Sequence, residues 1–217
     1  MFVVIDGIDG CGKSTQVKLL AESLQKQEKI VVTSKWKDSA YVQKLFIGDL
    51  LKRFQDGTVR IPPEARTFLL AADISNRLEN TIKPALKQNR IVIGDRYIYK
   101  VVAQGIARGL KKTWLDSLFE FAERPDITVI LDIDPVVAAE RIVSYRDISY
   151  YEAGMDILPG EDRKANFIRF QSRVRDNLKS LAGEVGAFVL DAGQEIEAQH
   201  EEITRIVEKN APGAGRW

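Results

Sequence analysis

Cysteine is nearly missing from this 217-residue chain: Cys11 stands alone, so no internal disulfide can form, and the fold is expected in a reducing compartment. Excess charge of either sign is missing too. Lys and Arg number 32 against 31 Asp and Glu, a formal net charge of +1, which gives no whole-molecule field to draw in nucleic acid or an anionic membrane. Any affinity for phosphate must therefore be local. Long apolar runs are lacking: none approaches a membrane span, and the first, Phe2 to Ile5, is short and ends at Asp6, unlike a signal peptide. There is no internal repeat, no low-complexity linker and no shift in composition, so a single domain over 1–217 is expected. The Asn-Lys-x-Asp guanine reader of a GTPase does not occur. The lone histidine, His200, lies far from every motif and reads as a solvated side chain. A soluble, cytoplasmic protein with no nucleic-acid or membrane partner is the expectation.

What is present is concentrated near the start. Phe2, Val3, Val4 and Ile5 signal a short buried strand, followed by Gly7-Ile8-Asp9-Gly10-Cys11-Gly12-Lys13-Ser14-Thr15, after which Val17, Leu19, Leu20 and Leu24 recur at helical spacing. Strand, glycine loop and helix form the context in which GxxxxGK[ST] means a phosphate cradle. Backbone N–H groups can turn inward at the glycines, and the helix N-terminus adds partial positive charge. Lys13 is expected at the β- and γ-phosphates of a nucleotide, and the Ser14 hydroxyl on Mg²⁺. Asp9 is an odd neighbour for a triphosphate, since like charges repel. It is expected to face an acceptor hydroxyl instead. Cys11 reads as a small packing residue.

Further strands are predicted at Ile30 to Val32, Ile91 to Ile93, Ile127 to Ile133 and Ala187 to Leu190. Helices are predicted at Lys13 to Gln27, Ala40 to Phe54, Glu64 to Leu86, Tyr99 to Arg108, Thr113 to Glu123, from Pro135 behind an Asp134 cap, Arg163 to Leu181 and Ile196 to Lys209. Alternating strands and helices argue for a parallel sheet covered on both faces, with ligands gathered at the strands' carboxyl ends. Asp95, ending the third strand, is the candidate carboxylate for Mg²⁺ or its waters, and Arg96 a bidentate grip for a second phosphate. Arg141 to Asp162, which carries Arg146 and Tyr151, reads as an arginine-bearing lid.

DGIDGCGKSTQ, LLAADISNRLENTIKPAL, IVIGDRY, RPDITVILDIDPVVAAERI, FQSRVRDNLKSLA and VLDAG, in that order and spacing, resemble the thymidylate kinase family over roughly Phe2 to Glu208, archaeal members especially, through DRYIY and YYEAGMDI. The resemblance implies a P-loop NTPase domain of the nucleoside monophosphate kinase type, a three-layer αβα sandwich around a five-stranded parallel sheet. It also implies ATP and Mg²⁺ as cofactors, dTMP as acceptor, and a homodimer. Residue by residue, it places Asp9 near the acceptor's 3′-hydroxyl, Arg96 on the acceptor phosphate with Tyr97 beside it, and Asp191 and Ala192 beside the adenine. Gly10 stands where one subgroup has a catalytic arginine, which leaves Arg146, then Arg141, to supply that charge from the lid. Leu70 and Ile74 stand at the family's base-stacking phenylalanine and its arginine, with Phe68, Arg66 or Arg77 as substitutes. Lys35-Trp36-Lys37 stands at its Arg-Glu-Pro loop, Lys100 at its serine, and Gln104 at its aromatic residue near the sugar. The helix after Asp-Arg-Tyr (Val101, Val102, Ile106) and the Glu64 to Leu86 helix are the expected dimer face. A same-fold kinase with another acceptor and a silent nucleotide-binding module are the competing readings.

Overall fold

The computed structural model describes residues 1–24, 30–33, 53, 56–158, 160 and 162–210. The Lys35-Trp36-Lys37 loop lies outside them, as does the predicted Ala40 to Phe54 helix apart from Arg53. Five parallel strands, β1 (Phe2–Gly7), β2 (Ile30–Thr33), β3 (Ile91–Asp95), β4 (Ile127–Asp132) and β5 (Phe188–Asp191), form a sheet in the order β2-β3-β1-β4-β5. In β1, Val3 pairs with both Ile93 and Ile127. The apolar run of β1 reads as continuous rather than alternating because every residue is buried, as is the whole of β3. The edge strand β5 is mostly exposed.

Among the described residues the helices are α1 (Lys13–Leu24), α2 (Pro63–Arg77), α3 (Lys83–Lys87), α4 (Ile98–Ala107), α5 (Lys112–Leu118), α6 (Pro135–Val143), α7 (Arg163–Val185) and α8 (Ile196–Asn210). Around the sheet, α1 packs with α8 and α4 with α7. Asp134 caps α6 as expected, accepting from the Val136 N–H at 2.7 Å. The helix predicted from Glu64 to Leu86 is interrupted: a π-helical turn, Leu78–Ile82, separates α2 from α3. Pro84 supplies the reason, since it lacks an N–H and its ring would clash with the carbonyl four residues back, and the wider turn relieves both problems. The stretch predicted as helical to Glu123 is helical only to Leu118.

The proposed dimer face is partly used internally. Val102 is buried in the core, and Val101 lines a cavity described below. No helix among the described residues is long and apolar enough to cross a membrane.

Candidate active site

In the order β2-β3-β1-β4-β5, the chain leaves β1 toward one side for β2 and β3 and later crosses to the other for β4. The carboxyl end of β1 is thus the point where connections diverge and a crevice opens. The glycine loop occupies it. A Cβ on Gly10 (φ 84°) would lie 2.6 Å from the Ala138 carbonyl oxygen, and one on Gly7 would meet Leu131 O at 2.6 Å and Cys11 Sγ at 2.7 Å. The loop therefore lies flat on β4 and α6 only because both positions lack side chains. A side chain at position 10, such as the arginine that the resemblance implies for one subgroup, has no room here. Lys13, buried, is held by the loop itself: Nζ donates to Gly7 O at 2.9 Å, Ile8 O at 2.5 Å and Cys11 Sγ at 3.3 Å. Ser14 Oγ donates to Asp95 Oδ2 at 2.8 Å, bringing two oxygen donors from β3 and α1 together.

Asp6, at the end of β1, joins this loop to the next motif. Its fully buried carboxylate accepts from Gly7 N at 2.9 Å and, across the sheet, from Tyr97 N at 3.4 Å and Lys100 N at 3.0 Å. It thereby caps α4 from another element, satisfying N–H groups that the helix's own cap residue leaves unbonded. Burial pushes the Asp6 pKa up. Just before α4, Arg96 adopts φ 71°, a conformation rare for a side chain of its size and characteristic of functional turns.

Asp9 is the centre of the charge arrangement. Although it sits in the phosphate loop, it is only 2% exposed and held by two cations and an amide: Arg96 Nη2 donates to Oδ1 at 2.8 Å, Lys100 Nζ lies 2.5 Å from the same oxygen, and Gln171 Nε2 donates to Oδ2 at 3.3 Å. Burial pushes the Asp9 carboxyl up, but the charges of Lys100, Arg96 and Lys13 outweigh it and hold the group well below the usual carboxylate range. Lys100 goes the other way: burial, with the Arg96 and Lys13 charges, brings it from 10.5 down to about 7 against the pull of Asp9.

This shift has a testable sign. Between pH 7 and 10.5 the unfolded chain carries a proton that folded Lys100 has released, so this group makes folding stability rise with pH across that window. From pH 7 to 9 the rise is on the order of 2 kcal/mol. Denaturant titrations at the two values are expected to give a smaller increase for Lys100→Met than for the unaltered protein; equal increases would show that the amine titrates normally.

Two cavities meet at Asp9. The larger, about 900 Å³, runs along the glycine loop and is walled by Arg141, Tyr145 and Arg146 and by the loop from Gly193 to Ile196. The smaller, about 70 Å³, lies between α2 and α4, lined by Leu70, Ile74, Lys100 and Gln104 and closed by Tyr151. Asp9, Arg96, Ser149 and Glu152 line both. Tyr151 is clamped between guanidinium groups, with Arg66 3.7 Å and Arg108 3.6 Å from its ring centre, and Arg108 is locked in turn onto Asp156 at 2.8 and 3.1 Å. Arg146 makes a two-pronged pair with Glu152 at 2.8 and 3.0 Å.

Several expected site residues lie elsewhere. Phe68 is 54% exposed and packs edge-on against Trp114 at 5.4 Å, because it falls on the face of α2 opposite Leu70 and Ile74. Asp191 and Ala192 do not wall the larger cavity; Asp191 turns back to accept from Gly193 N at 2.8 Å, and the wall begins at Gly193. Arg141 belongs to the last turn of α6, so the irregular segment starts three residues later than expected. Lys35 and Trp36 are outside the described residues. Asp6 falls among the strand-end residues expected at the site, without a sign of its capping role, whereas sequence reasoning missed Asp73 and Gln171. For Asp73 a signal existed, its spacing of four from Arg77 on one helix.

Fold and site together define a P-loop nucleotide-binding protein of the parallel α/β class. A model of the thymidylate kinase family matches residues 5–203, and the chain belongs to that family. It is 37% identical over 214 residues to a probable thymidylate kinase of Thermococcus gammatolerans, covering 96% of each chain. It is 32% identical over 213 residues to one of Pyrococcus abyssi, covering 98% of each. A thymidylate kinase of Bifidobacterium longum is 35% identical over 204 residues, 91% of this chain and 92% of that one.

Proposed function

We propose that this protein is a nucleoside monophosphate kinase that transfers the ATP γ-phosphoryl group to dTMP, giving dTDP and ADP. One observation carries the reading: a long groove on the phosphate loop and a smaller pocket beside it share Asp9 and Arg96 at their junction. A transfer between two nucleotides needs two sites that open on one point, with a cation there to hold the acceptor. Lys13 exchanges its loop carbonyls for the β- and γ-phosphates, and Arg96 holds the acceptor phosphate while one of its oxygens attacks the γ-phosphorus. The bond to the bridging oxygen of ADP breaks in line. Asp9 receives the acceptor's sugar hydroxyl. Ser14 and Asp95 fit Mg²⁺, which prefers one or two oxygen ligands from protein and takes the rest from phosphates and water. The ion would neutralise charge on the phosphates.

The acceptor pocket, at about 70 Å³, is below the roughly 300 Å³ at which ligand sites begin. Tyr151 and Glu152 must swing out to admit a nucleotide, which is the motion of a lid at about 141–162. Closure returns Arg146 to the groove. Arg146→Ala is therefore expected to lower kcat by about 10²-fold or more with little change in either KM, since the charge acts on the transition state; an unchanged kcat would remove it from the chemistry.

ADP release with ATP and Mg²⁺ against dTMP, dUMP, UMP, CMP, dGMP, AMP and thymidine tests the whole reading. A preference for dTMP supports it, and no ADP with any monophosphate overturns it. Leu70, Ile74, Lys100 and Gln104 in the pocket support a second reading, the same chemistry on another acceptor, which the panel would reveal by its preferred substrate. By family likeness the protein is proposed to be a cytoplasmic homodimer; sedimentation at micromolar concentration checks the assembly.

A further inference from the structure

The acceptor pocket contains a buried pair that its own fold leaves half satisfied. Asp73 and Arg77, one turn apart on α2, both line it, and their side chains are only 2% and 10% exposed. Arg77 Nε donates to Asp73 Oδ2 at 3.0 Å. That single bond leaves Asp73 Oδ1 as an acceptor and Arg77 Nη1 as a donor, both without a hydrogen-bond partner among the described residues. The pocket's other charged groups each reach a partner on another element, Asp95 to Ser14, Arg96 and Lys100 to Asp9, Glu152 to Arg146 and Arg66 onto the Tyr151 ring, and of these Arg96 also keeps a buried Nε without a hydrogen-bond partner among the described residues. Leaving buried polar atoms unpaired costs free energy that a complementary ligand returns. Leu70 and Ile74, from the same helix, supply an apolar wall next to them, as a flat ring requires.

We propose that Asp73 and Arg77 read the hydrogen-bonding edge of the acceptor base, the carboxylate accepting a ring N–H and the guanidinium donating to the carbonyl beside it. The inference rests on the reading of the acceptor as a nucleoside monophosphate. The paired elements it selects, a ring N–H next to a carbonyl, occur on thymine and uracil, whereas cytosine carries an unprotonated ring nitrogen and an amino group at those places. Burial pushes the Asp73 pKa up, but the adjacent Arg77 charge favours its carboxylate, the form that accepts. Arg77 thus restores to the pocket, one turn further along α2, a guanidinium that position 74 does not provide.

The test uses two variants that keep the pair bonded. Asp73→Asn retains shape but turns part of the acceptor into an N–H donor, and Arg77→Lys retains charge but loses the planar fork. Steady-state kinetics with dTMP, dUMP and dCMP at saturating ATP give kcat/KM ratios, and the KM for ATP is measured alongside. For Asp73→Asn the ratio of dTMP to dCMP is expected to fall at least tenfold, and for Arg77→Lys the KM for dTMP is expected to rise at least tenfold, with the KM for ATP within twofold in both. A purely structural role would lower all acceptors together and leave the ratio unchanged, which overturns the inference while the kinase reading stands. If the unaltered protein turns over no nucleoside monophosphate, both fall. Should either variant be poorly folded by circular dichroism, the unaltered protein decides. It is expected to use dTMP and dUMP at least tenfold better than dCMP, and equal use of the three overturns the proposal.

Discussion

Lys13→Ala is expected to remove phosphoryl transfer from a protein that still folds. The Nζ is buried in the glycine loop, held by the Gly7 and Ile8 carbonyls and Cys11 Sγ within 3.3 Å. It is therefore already ordered at the place where phosphates arrive, and moving it onto them costs little reorganisation. A preorganised donor in such a site is worth roughly 10²- to 10³-fold in rate, and a charged one at the transferring group more, so kcat/KM should drop by at least about 10³-fold. The substitution also frees two carbonyls and leaves a small gap, a cost of about 1–2 kcal/mol that a domain of this size tolerates. Turnover within tenfold of the unaltered protein would sink the assignment of the loop as the donor site.

Arg96→Ala is expected to act on the acceptor. Its guanidinium stands where the two cavities meet and is shared with Asp9, so an incoming phosphate competes with Asp9 for a group already positioned there. Loss of a charge-assisted, two-pronged grip is worth about 3 kcal/mol, or roughly 10²-fold in kcat/KM for the acceptor. Most of this should appear as a higher acceptor KM, with the KM for ATP changed by less than about threefold. Lys100 remains on Asp9 in the variant and, without the Arg96 charge beside it, holds its proton more firmly, so the site keeps a counter-charge. Alanine keeps a Cβ, so the φ of 71° is not relieved, and any fall in stability reflects the lost ion pair together with the lost packing of the arginine stem. Equal increases in both KM values would place Arg96 at the donor instead.

The parts of this site that were legible in the sequence share a property: each is written in contiguous residues. The strand, glycine loop and helix from Phe2 to Leu24 could be read because a loop that wraps phosphate needs glycines at set intervals between two elements of recognisable period. Asp95 and Arg96 could be read because ligands gather at strand ends, and Ser14 does meet Asp95. Phe68 was misread because α2 turns by about 100° per residue, so a neighbour two positions from Leu70 faces away from the pocket. The helix from Glu64 to Leu86 reads as unbroken because its apolar period runs on through Pro84, and only the structure shows the π-helical turn that accommodates the proline.

By itself, then, the amino-acid order determined the parallel α/β class, the phosphate cradle with Lys13 and Ser14, and the list of strand ends from which the site is drawn. These follow from local periodicity and from the few backbone conformations that glycine permits. Only the tertiary structure decided that Asp6 caps a helix 94 residues away, that Asp9 turns from a repelled carboxylate into the anchor for Arg96 and Lys100, and that Asp73 and Arg77 face the acceptor pocket half satisfied. The reason is electrostatic: the meaning of a charged side chain is set by burial and by the charges brought beside it, and those partners are distant in the chain.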